Sequence, residues 1–222
     1  MRYPVLIFDL DDTLLESFPG YVALHQRIAG DLGWRIPSAA ELVHYGPTWE
    51  ATLARLWPSA SLAPFMARYE EVADDHAYPA IAGVPEALGE LRARGHSLWI
   101  VTKRSRRRLA QRMAEAKLHE ELFEGIYAYE DQPAAKPDPR CFEPVWRELG
   151  KPMTGEAIYV GDREDDHIAA RAAGLAFIGV RTGPELLAHD GGERPPSFLD
   201  ALPTSHVLDT AAELPRWLEA LG

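Results

Sequence analysis

Short apolar runs recur along the chain, and each ends at a polar or turn-forming residue. They occupy residues 5–8, 98–101, 126–129, 157–160 and 176–180. Each run is too short for a helix, and its apolar residues are uninterrupted rather than alternating with polar ones. That pattern is typical of strands buried on both faces. We therefore predict five parallel strands at these positions.

Helical periodicity fills most of the gaps between these strands. Amphipathic segments span residues 85–94, 105–118, 139–149 and 164–173. Strands that alternate with helices at this spacing predict an α/β fold with a Rossmann-like, doubly wound parallel sheet. Near the end of the chain, residues 188–197 predict a loop, residues 206–209 an edge strand and residues 211–222 a closing helix.

The gap between the first two strands has a different character, because it contains several helical patterns and no strand candidate. Residues 47–57 and 61–78 form two amphipathic segments separated by a proline. We predict an all-helical cap domain at residues 17–80, inserted into a core domain built from residues 1–16 and 81–222.

Composition narrows the class of protein. The chain has 222 residues, 46% hydrophobic and 26% charged, which is ordinary for a globular protein. Its net charge of -11 argues against a general affinity for nucleic acid or anionic membranes. No apolar run approaches about 18 residues and no export signal is recognisable, so a cytoplasmic location is expected. The single cysteine, Cys141, excludes an internal disulfide and a cysteine-based zinc site.

Acidic residues are concentrated where predicted strands end. Three carboxylates follow the first strand and three more follow the fourth, while a hydroxyl and an ammonium follow the second. They are Asp9, Asp11, Asp12, Asp162, Asp165, Asp166, Thr102 and Lys103. Ligands bind beyond the carboxyl ends of parallel strands, and carboxylates that converge there repel one another unless a cation joins them. Hard oxygen ligands without histidine or cysteine favour Mg²⁺. Any one of these aspartates alone is equally explained as a helix cap.

Four segments taken together resemble the motifs of the haloacid dehalogenase-like hydrolase superfamily, in its phosphatase branch with a helical cap after the first strand. The opening DLDDT is similar to the family's DxDxT signature, and IVT ending at Thr102 is similar to its second motif. Lys136 in AAKPDP resembles the third motif, and GDREDD, with Asp162 and Asp166, resembles the fourth. The four occur in the family's order along nearly the whole chain.

The resemblance implies a role for each matching residue. Asp9 would attack phosphorus and form an aspartyl-phosphate, and Asp11 would protonate the leaving oxygen and then activate water. The metal ligands would be the Asp9 side chain, the Asp11 backbone carbonyl and Asp162, with Asp166 as a ligand or an anchor. The acid at Asp11 disfavours dehalogenation, since the carbon–halogen-cleaving branch lacks it.

The remaining positions are predicted to bind phosphate or to play no chemical part. Thr102 and Lys136 would contact phosphoryl oxygens, and Lys136 would also hold Asp9 in place. Lys103 replaces an asparagine common in the family, so it either touches the phosphate or points to solvent. Asp12 stands where many relatives have glycine, which favours an exposed or capping role.

These expectations combine into a Mg²⁺-dependent phosphatase that hydrolyses small phosphorylated metabolites, as a monomer or a homodimer that binds neither nucleic acid nor membranes. A phosphomutase of the same branch, and a non-catalytic protein that binds a partner through its cap or basic helix, remain alternatives. The basic run at residues 103–112 is interpreted as a solvated face rather than a nucleic-acid site. Substrate choice is assigned to the cap, with residues 44–49 and Arg55 as candidates.

Overall fold

A computed structural model describes residues 3–44, 49–187 and 197–221. The strands are β1 (Val5–Phe8), β2 (Ser97–Val101), β3 (Gly125–Tyr127), β4 (Ala157–Gly161), β5 (Ala176–Val180) and β6 (Val207–Leu208). The helices are α1 (Phe18–Asp31), α2 (Ala39–Leu42), α3 (Trp49–Leu56), α4 (Leu62–Val72), α5 (Val84–Ala93), α6 (Arg106–Glu115), α7 (Glu143–Leu149), α8 (Glu164–Ala172), α9 (Pro184–Leu187) and α10 (Leu214–Ala220). None of the helices in these ranges is long and apolar enough to span a membrane. The predicted loop at 188–197 lies almost wholly outside the described residues.

The six strands form one parallel sheet in the order β3-β2-β1-β4-β5-β6. The predicted α/β fold with a doubly wound parallel sheet is thereby confirmed. The chain runs from β1 through β2 to β3 at one edge of the sheet, and from β4 through β5 to β6 at the other edge. The crevice between the carboxyl ends of β1 and β4 is therefore the place where a ligand is expected.

Successive side chains of β1 point to opposite faces of the sheet, and both faces are covered by hydrophobic clusters. Leu6 and Phe8 pack into a hydrophobic cluster on one face of the sheet, while Val5 and Ile7 pack into a second cluster on the other face. All four side chains are buried. A strand covered on both faces needs apolar residues at every position.

Helices α1 to α4 share a hydrophobic cluster of their own, which includes Leu24, Ile28, Trp57 and Phe65. The two chain segments that join these helices to the sheet run side by side. Glu16 N–H donates to the carbonyl of Pro79 at 2.8 Å, and Ile81 N–H donates to that of Leu14 at 3.0 Å. The division into a cap at 17–80 and a core formed by the rest stays a prediction.

Interpreting the basic run as a solvated face was wrong for two of its arginines. Arg108 and Arg112 on α6 are buried, with 6% and 1% of their surface exposed. Arg112 donates to the carbonyls of Ala73 and His76, and Arg108 pairs with Asp74. These partners lie just after α4, so α6 is covered by the segment that returns from the inserted helices. Burial is tolerated because each guanidinium has hydrogen-bond acceptors.

Candidate active site

The carboxyl ends of β1, β2 and β4 bring three of the predicted site residues to one edge of the sheet. Phe8 is in register with Ile100 of β2 and Val160 of β4, so Asp9 lies between the ends of both neighbours. The N–H of Asp9 donates to the carbonyl of Val160 at 2.9 Å. Asp9, Thr102 and Asp162 are all buried, which places their polar groups in a largely water-free crevice.

The ammonium of Lys136 binds three oxygen atoms in this crevice. Its Nζ lies 2.8 Å from Oδ1 of Asp9, 2.7 Å from Oδ1 of Asp166 and 2.7 Å from the hydroxyl of Tyr159. The contact with the Tyr159 hydroxyl is a hydrogen bond, and the contacts with the two carboxylates are ion pairs. Lys136 therefore links Asp9, directly after β1, to Asp166 of the fourth motif, which lies in α8.

Tyr159 is a functional candidate that the sequence reasoning missed. Its hydroxyl donates to the carbonyl of Val101 at 3.0 Å, accepts from Lys136 and lies 3.3 Å from Oδ1 of Asp166. Val101 immediately precedes Thr102, so one buried hydroxyl on β4 connects the end of β2 with the lysine. No pattern in the sequence distinguishes this tyrosine from an ordinary apolar strand residue.

Three buried carboxylates lie close enough together to hold a metal ion. One oxygen each from Asp9, Asp162 and Asp166 falls within 4.8 Å of the others. Asp162 Oδ1 accepts a hydrogen bond from the hydroxyl of Thr13 at 3.0 Å, whereas its Oδ2 is buried and has no partner among the described residues. A buried carboxylate oxygen without a donor is costly, and a hard divalent cation is the ligand that suits it.

Asp166 differs from Asp162 in that both of its oxygens have partners. Oδ1 pairs with Lys136, and Oδ2 accepts from the backbone N–H of Arg163 at 3.1 Å. This arrangement favours Asp166 as an anchor for the lysine and Asp162 as the carboxylate that is free to bind a cation. Asp165 is half-buried and pairs with Lys103, outside this cluster.

Burial, together with the repulsion between neighbouring carboxylates, raises the pKa values of Asp9 and Asp162. Burial raises the pKa of Asp9 to about 6, with Lys136 opposing the shift and Asp166 adding to it. Burial and the charges of Asp166, Asp12 and Asp9 hold the pKa of Asp162 well above its usual range. Burial works against the ammonium of Lys136, but Asp166 and Asp9 outweigh it and raise its pKa. Three carboxylates around one ammonium would be relieved by a cation.

Backbone atoms pack directly against these carboxylates. A Cβ atom added to Gly161 would lie 2.5 Å from Oδ2 of Asp166, and one added to Gly183 would lie 2.7 Å from Oδ2 of Asp162. Real Cβ atoms do not approach oxygen this closely. Glycine at both positions therefore leaves room for the carboxylates to occupy the crevice.

Asp11 lies at the rim of the crevice and is paired with an arginine that the sequence reasoning did not assign. Nε of Arg104 donates to Oδ2 of Asp11 at 3.0 Å, and its Nη2 pairs with Oδ1 of the same carboxylate. The backbone N–H of Arg104 donates to the Thr102 hydroxyl at 3.1 Å. Lys103, predicted either to touch the phosphate or to point to solvent, pairs with Asp165, and 45% of its side chain is exposed.

Asp12 caps the start of α1, in agreement with one of its two predicted roles, but it is buried rather than exposed. Its Oδ1 accepts from the N–H groups of Ser17 and Phe18 at 2.9 and 2.8 Å. The φ angle of Asp12 is +56°, in the left-handed region that glycine adopts most easily and that aspartate tolerates. Burial, assisted by the charge of Asp11, raises the pKa of Asp12 to about 7.

The candidate specificity residues of the inserted helices are only partly described, because residues 45–48 lie outside the described ranges. Arg55 donates to the carbonyl of His44 at 2.6 Å. Arg163, directly after Asp162, donates to the carbonyl of Val43 at 3.3 Å. The segment that precedes residues 45–48 is thus held next to the carboxylate cluster.

Residues 6–180 match the haloacid dehalogenase-like hydrolase family. The chain belongs to this family. A phosphoglycolate phosphatase of Rhodobacter capsulatus is 30% identical to it, covering 97% of both chains, and one of Pseudomonas fluorescens is 28% identical, covering 95% of this chain and 82% of the relative. A solved structure from Haemophilus somnus, described as a predicted phosphoglycolate phosphatase, superimposes with a TM-score of 0.80 at 19% identity, covering 97% of this chain and 98% of the other. Family and relatives identify the chain as a phosphatase.

Proposed function

We propose that the chain is a Mg²⁺-dependent phosphatase that hydrolyses small phosphomonoesters through an aspartyl-phosphate on Asp9. The observation that supports this most strongly is the buried contact of Lys136 with Asp9 and Asp166, beside an Asp162 oxygen that has no partner in the described part of the chain. A structural salt bridge needs only one carboxylate. Three carboxylates that share one ammonium are arranged to receive an additional cation.

In the proposed reaction Asp9 attacks phosphorus, and the alkoxide of the substrate leaves with a proton from Asp11. A phosphoryl group then resides on Asp9, and Asp11 takes a proton from the water that hydrolyses this acyl phosphate. Two carboxylates are required, because the first is covalently occupied when water must be activated. Asp11 suits the second role, since 29% of its side chain is exposed whereas Asp9 is buried.

Lys136 and Thr102 would stabilise the charge on the phosphoryl oxygens. Lys136 keeps the Asp9 carboxylate ionised and oriented, and the Thr102 hydroxyl lies at the end of the neighbouring strand. The side chains of Asp9 and Asp162 and the carbonyl of Asp11 would hold Mg²⁺, with Asp166 anchoring Lys136. When bound, Mg²⁺ supplies positive charge that offsets the repulsion between the phosphate and the carboxylates. Lys103 pairs with Asp165 and has no part in this proposal.

The test is a phosphate-release screen over small phosphorylated metabolites, with 2-phosphoglycolate included because the relatives are named for it. We expect release with Mg²⁺, none with EDTA and none from an Asp9→Asn variant. Full turnover by Asp9→Asn would contradict the proposed nucleophile. Sustained release from a single ester without a bisphosphate activator distinguishes hydrolysis from mutase activity. A protein that released no phosphate from any ester would instead favour the non-catalytic alternative.

A further inference from the structure

The proposed acid, Asp11, is held by a partner that its role does not require. Both oxygens of its carboxylate bind the guanidinium of Arg104, one through Nε at 3.0 Å and the other through Nη2. A two-point pair of this kind is among the strongest side-chain interactions. A carboxylate fixed in this way is not free to approach the leaving oxygen of a substrate.

Arg104 is placed where a substrate would meet it. Its backbone N–H donates to the hydroxyl of Thr102, which belongs to the proposed phosphate site. Its guanidinium lies over the ring of Tyr78, in the segment that returns from the inserted helices, at 5.1 Å from the ring centre. Side-chain exposure is 16% for Arg104 and 29% for Asp11, so the pair borders solvent at the rim of the crevice.

The other arginines of this basic run have partners elsewhere. Arg106 pairs with Asp131, Arg107 with Glu70, and Arg108 with Asp74. Arg112 donates to backbone carbonyls after α4. Among the arginines of this run, Arg104 is the one whose anionic partner is a proposed catalytic group.

We propose that Arg104 binds a second anionic group of the substrate, a carboxylate, and that this group replaces Asp11 on the guanidinium. The exchange releases Asp11 to serve as the acid. This inference rests on the proposed phosphatase function and adds a specificity-determining residue to it.

The geometry of the Arg104–Asp11 pair favours a carboxylate, rather than a neutral group, as the second group of the substrate. The guanidinium now holds a carboxylate through two parallel donors, so a substrate carboxylate would replace like with like. A neutral extension has nothing to gain from Arg104 and would leave Asp11 paired. Without this arginine, a second anion would enter a region that carries the charges of Asp9, Asp11 and Asp162.

The first arm of the test compares 2-phosphoglycolate with 2-hydroxyethyl phosphate, a similar ester that lacks the carboxylate. We expect the wild-type protein to prefer 2-phosphoglycolate in kcat/KM by about 10- to 100-fold, as for a hydrogen bond to a charged group. Arg104→Gln should abolish this preference, because it removes the partner of the substrate carboxylate and leaves Asp11 unpaired with either ester. KM should rise for 2-phosphoglycolate and kcat should rise for 2-hydroxyethyl phosphate, and Arg104→Lys should keep part of the preference. Arg107→Gln is the matched control, since 70% of the Arg107 side chain is exposed, and its preference should equal that of the wild type.

The ratio of the two kcat/KM values is the decisive quantity, because a general loss of catalytic competence affects both substrates alike and cancels in it. An unchanged ratio in Arg104→Gln, or no preference in the wild type, would overturn the inference and leave Arg104 as a positioning residue for Asp11.

A second arm measures binding without turnover, which separates this inference from the proposed reaction. Calorimetry with Asp9→Asn in Mg²⁺ should show tighter binding of 2-phosphoglycolate than of 2-hydroxyethyl phosphate, and the Asp9→Asn, Arg104→Gln double variant should not discriminate. If the wild type released no phosphate but the single variant still discriminated, the reaction would be wrong and the Arg104 site would stand. Equal or absent binding of both esters to Asp9→Asn would overturn the site.

Discussion

Replacing Lys136 with methionine removes the single ammonium from the buried carboxylate cluster while keeping a side chain of similar length. In the wild type, Nζ lies within 2.8 Å of Asp9 and within 2.7 Å of Asp166 and Tyr159, and only 2% of the side chain is exposed. Removing one partner of a buried ion pair leaves an uncompensated charge and costs about 3–5 kcal/mol. Domains of this size are stable by roughly 5–15 kcal/mol, so the variant should fold with a clearly reduced margin.

Urea unfolding at pH 7.5 in EDTA measures this cost directly. Lys151→Met is the control, because Lys151 is 60% exposed and pairs with Glu156 at 3.4 Å, and its free energy of unfolding should change by less than about 1 kcal/mol. If Lys136→Met were within about 0.5 kcal/mol of the wild type, the reasoning about the buried charges would be refuted.

The loss should also depend on pH. Burial already raises the pKa of Asp9 from 3.8 to about 6, and Lys136 opposes that shift. Without the lysine the folded-state pKa rises further, so the folded variant binds a proton that the unfolded chain does not. Stability from a raised carboxyl pKa is present below the unfolded value and is lost as pH rises through the folded value. The gap between wild type and Lys136→Met should therefore widen between pH 5 and pH 8.

Three further predictions concern the inserted helices, the cap of α1 and the metal site. Burial lowers the pKa of His25 from 6.5 to about 4, so the unfolded chain takes up this proton first, and stability falls as pH decreases from 6.5 toward 4. The free energy of unfolding should fall by about 2 kcal/mol between pH 7 and pH 5, and this fall should be absent from the His25→Phe variant. Equal pH dependence in the wild type and His25→Phe would count against this explanation. Asp12→Ala should lower the free energy of unfolding by about 2 kcal/mol, because it removes the helix cap and puts alanine in a left-handed backbone conformation. Asp12→Asn keeps both features and should retain most of that stability in thermal or urea unfolding. Equal losses in the two variants would show that neither feature matters. Gly183→Ala should raise the Mg²⁺ concentration needed for phosphate release by about 10-fold, because the added Cβ displaces Asp162. Gly89→Ala is the control and should leave that concentration unchanged, since its Cβ meets nothing within 4 Å. An unaltered Mg²⁺ requirement in Gly183→Ala would remove Asp162 from the metal site.

The strands were predictable because burial on both faces of a parallel sheet leaves a continuous apolar run. The predicted strands at 5–8 and 176–180 coincide with β1 and β5, and β2 and β4 each gain one residue. The third strand is the exception, predicted at 126–129 and observed as Gly125–Tyr127. It lies at the edge of the sheet and is only half-buried, so its apolar pattern does not mark where it ends.

Contacts between distant segments were not predictable from periodicity. Arg108 and Arg112 look like solvent-facing residues in the sequence, and their burial is tolerable because carboxylates and backbone carbonyls accept their hydrogen bonds, among them Asp74 and the carbonyls of Ala73 and His76. Arg104 and Tyr159 carry no motif, and their importance depends on which atoms meet them in three dimensions. By contrast, the aspartates after β1 and β4 stand out in the sequence as a set, because helix capping explains one such residue but not several that converge at one end of the sheet.

The most direct test of the proposed mechanism is detection of a phosphorylated Asp9. The best substrate from the screen, labelled with ³²P, is mixed with the protein and Mg²⁺, and the reaction is quenched in acid within milliseconds. Label should appear on the peptide that contains Asp9, persist longer in Asp11→Asn and be absent from Asp9→Asn. Phosphate release with no labelled protein in either the wild type or Asp11→Asn, or label on another residue, would contradict the account.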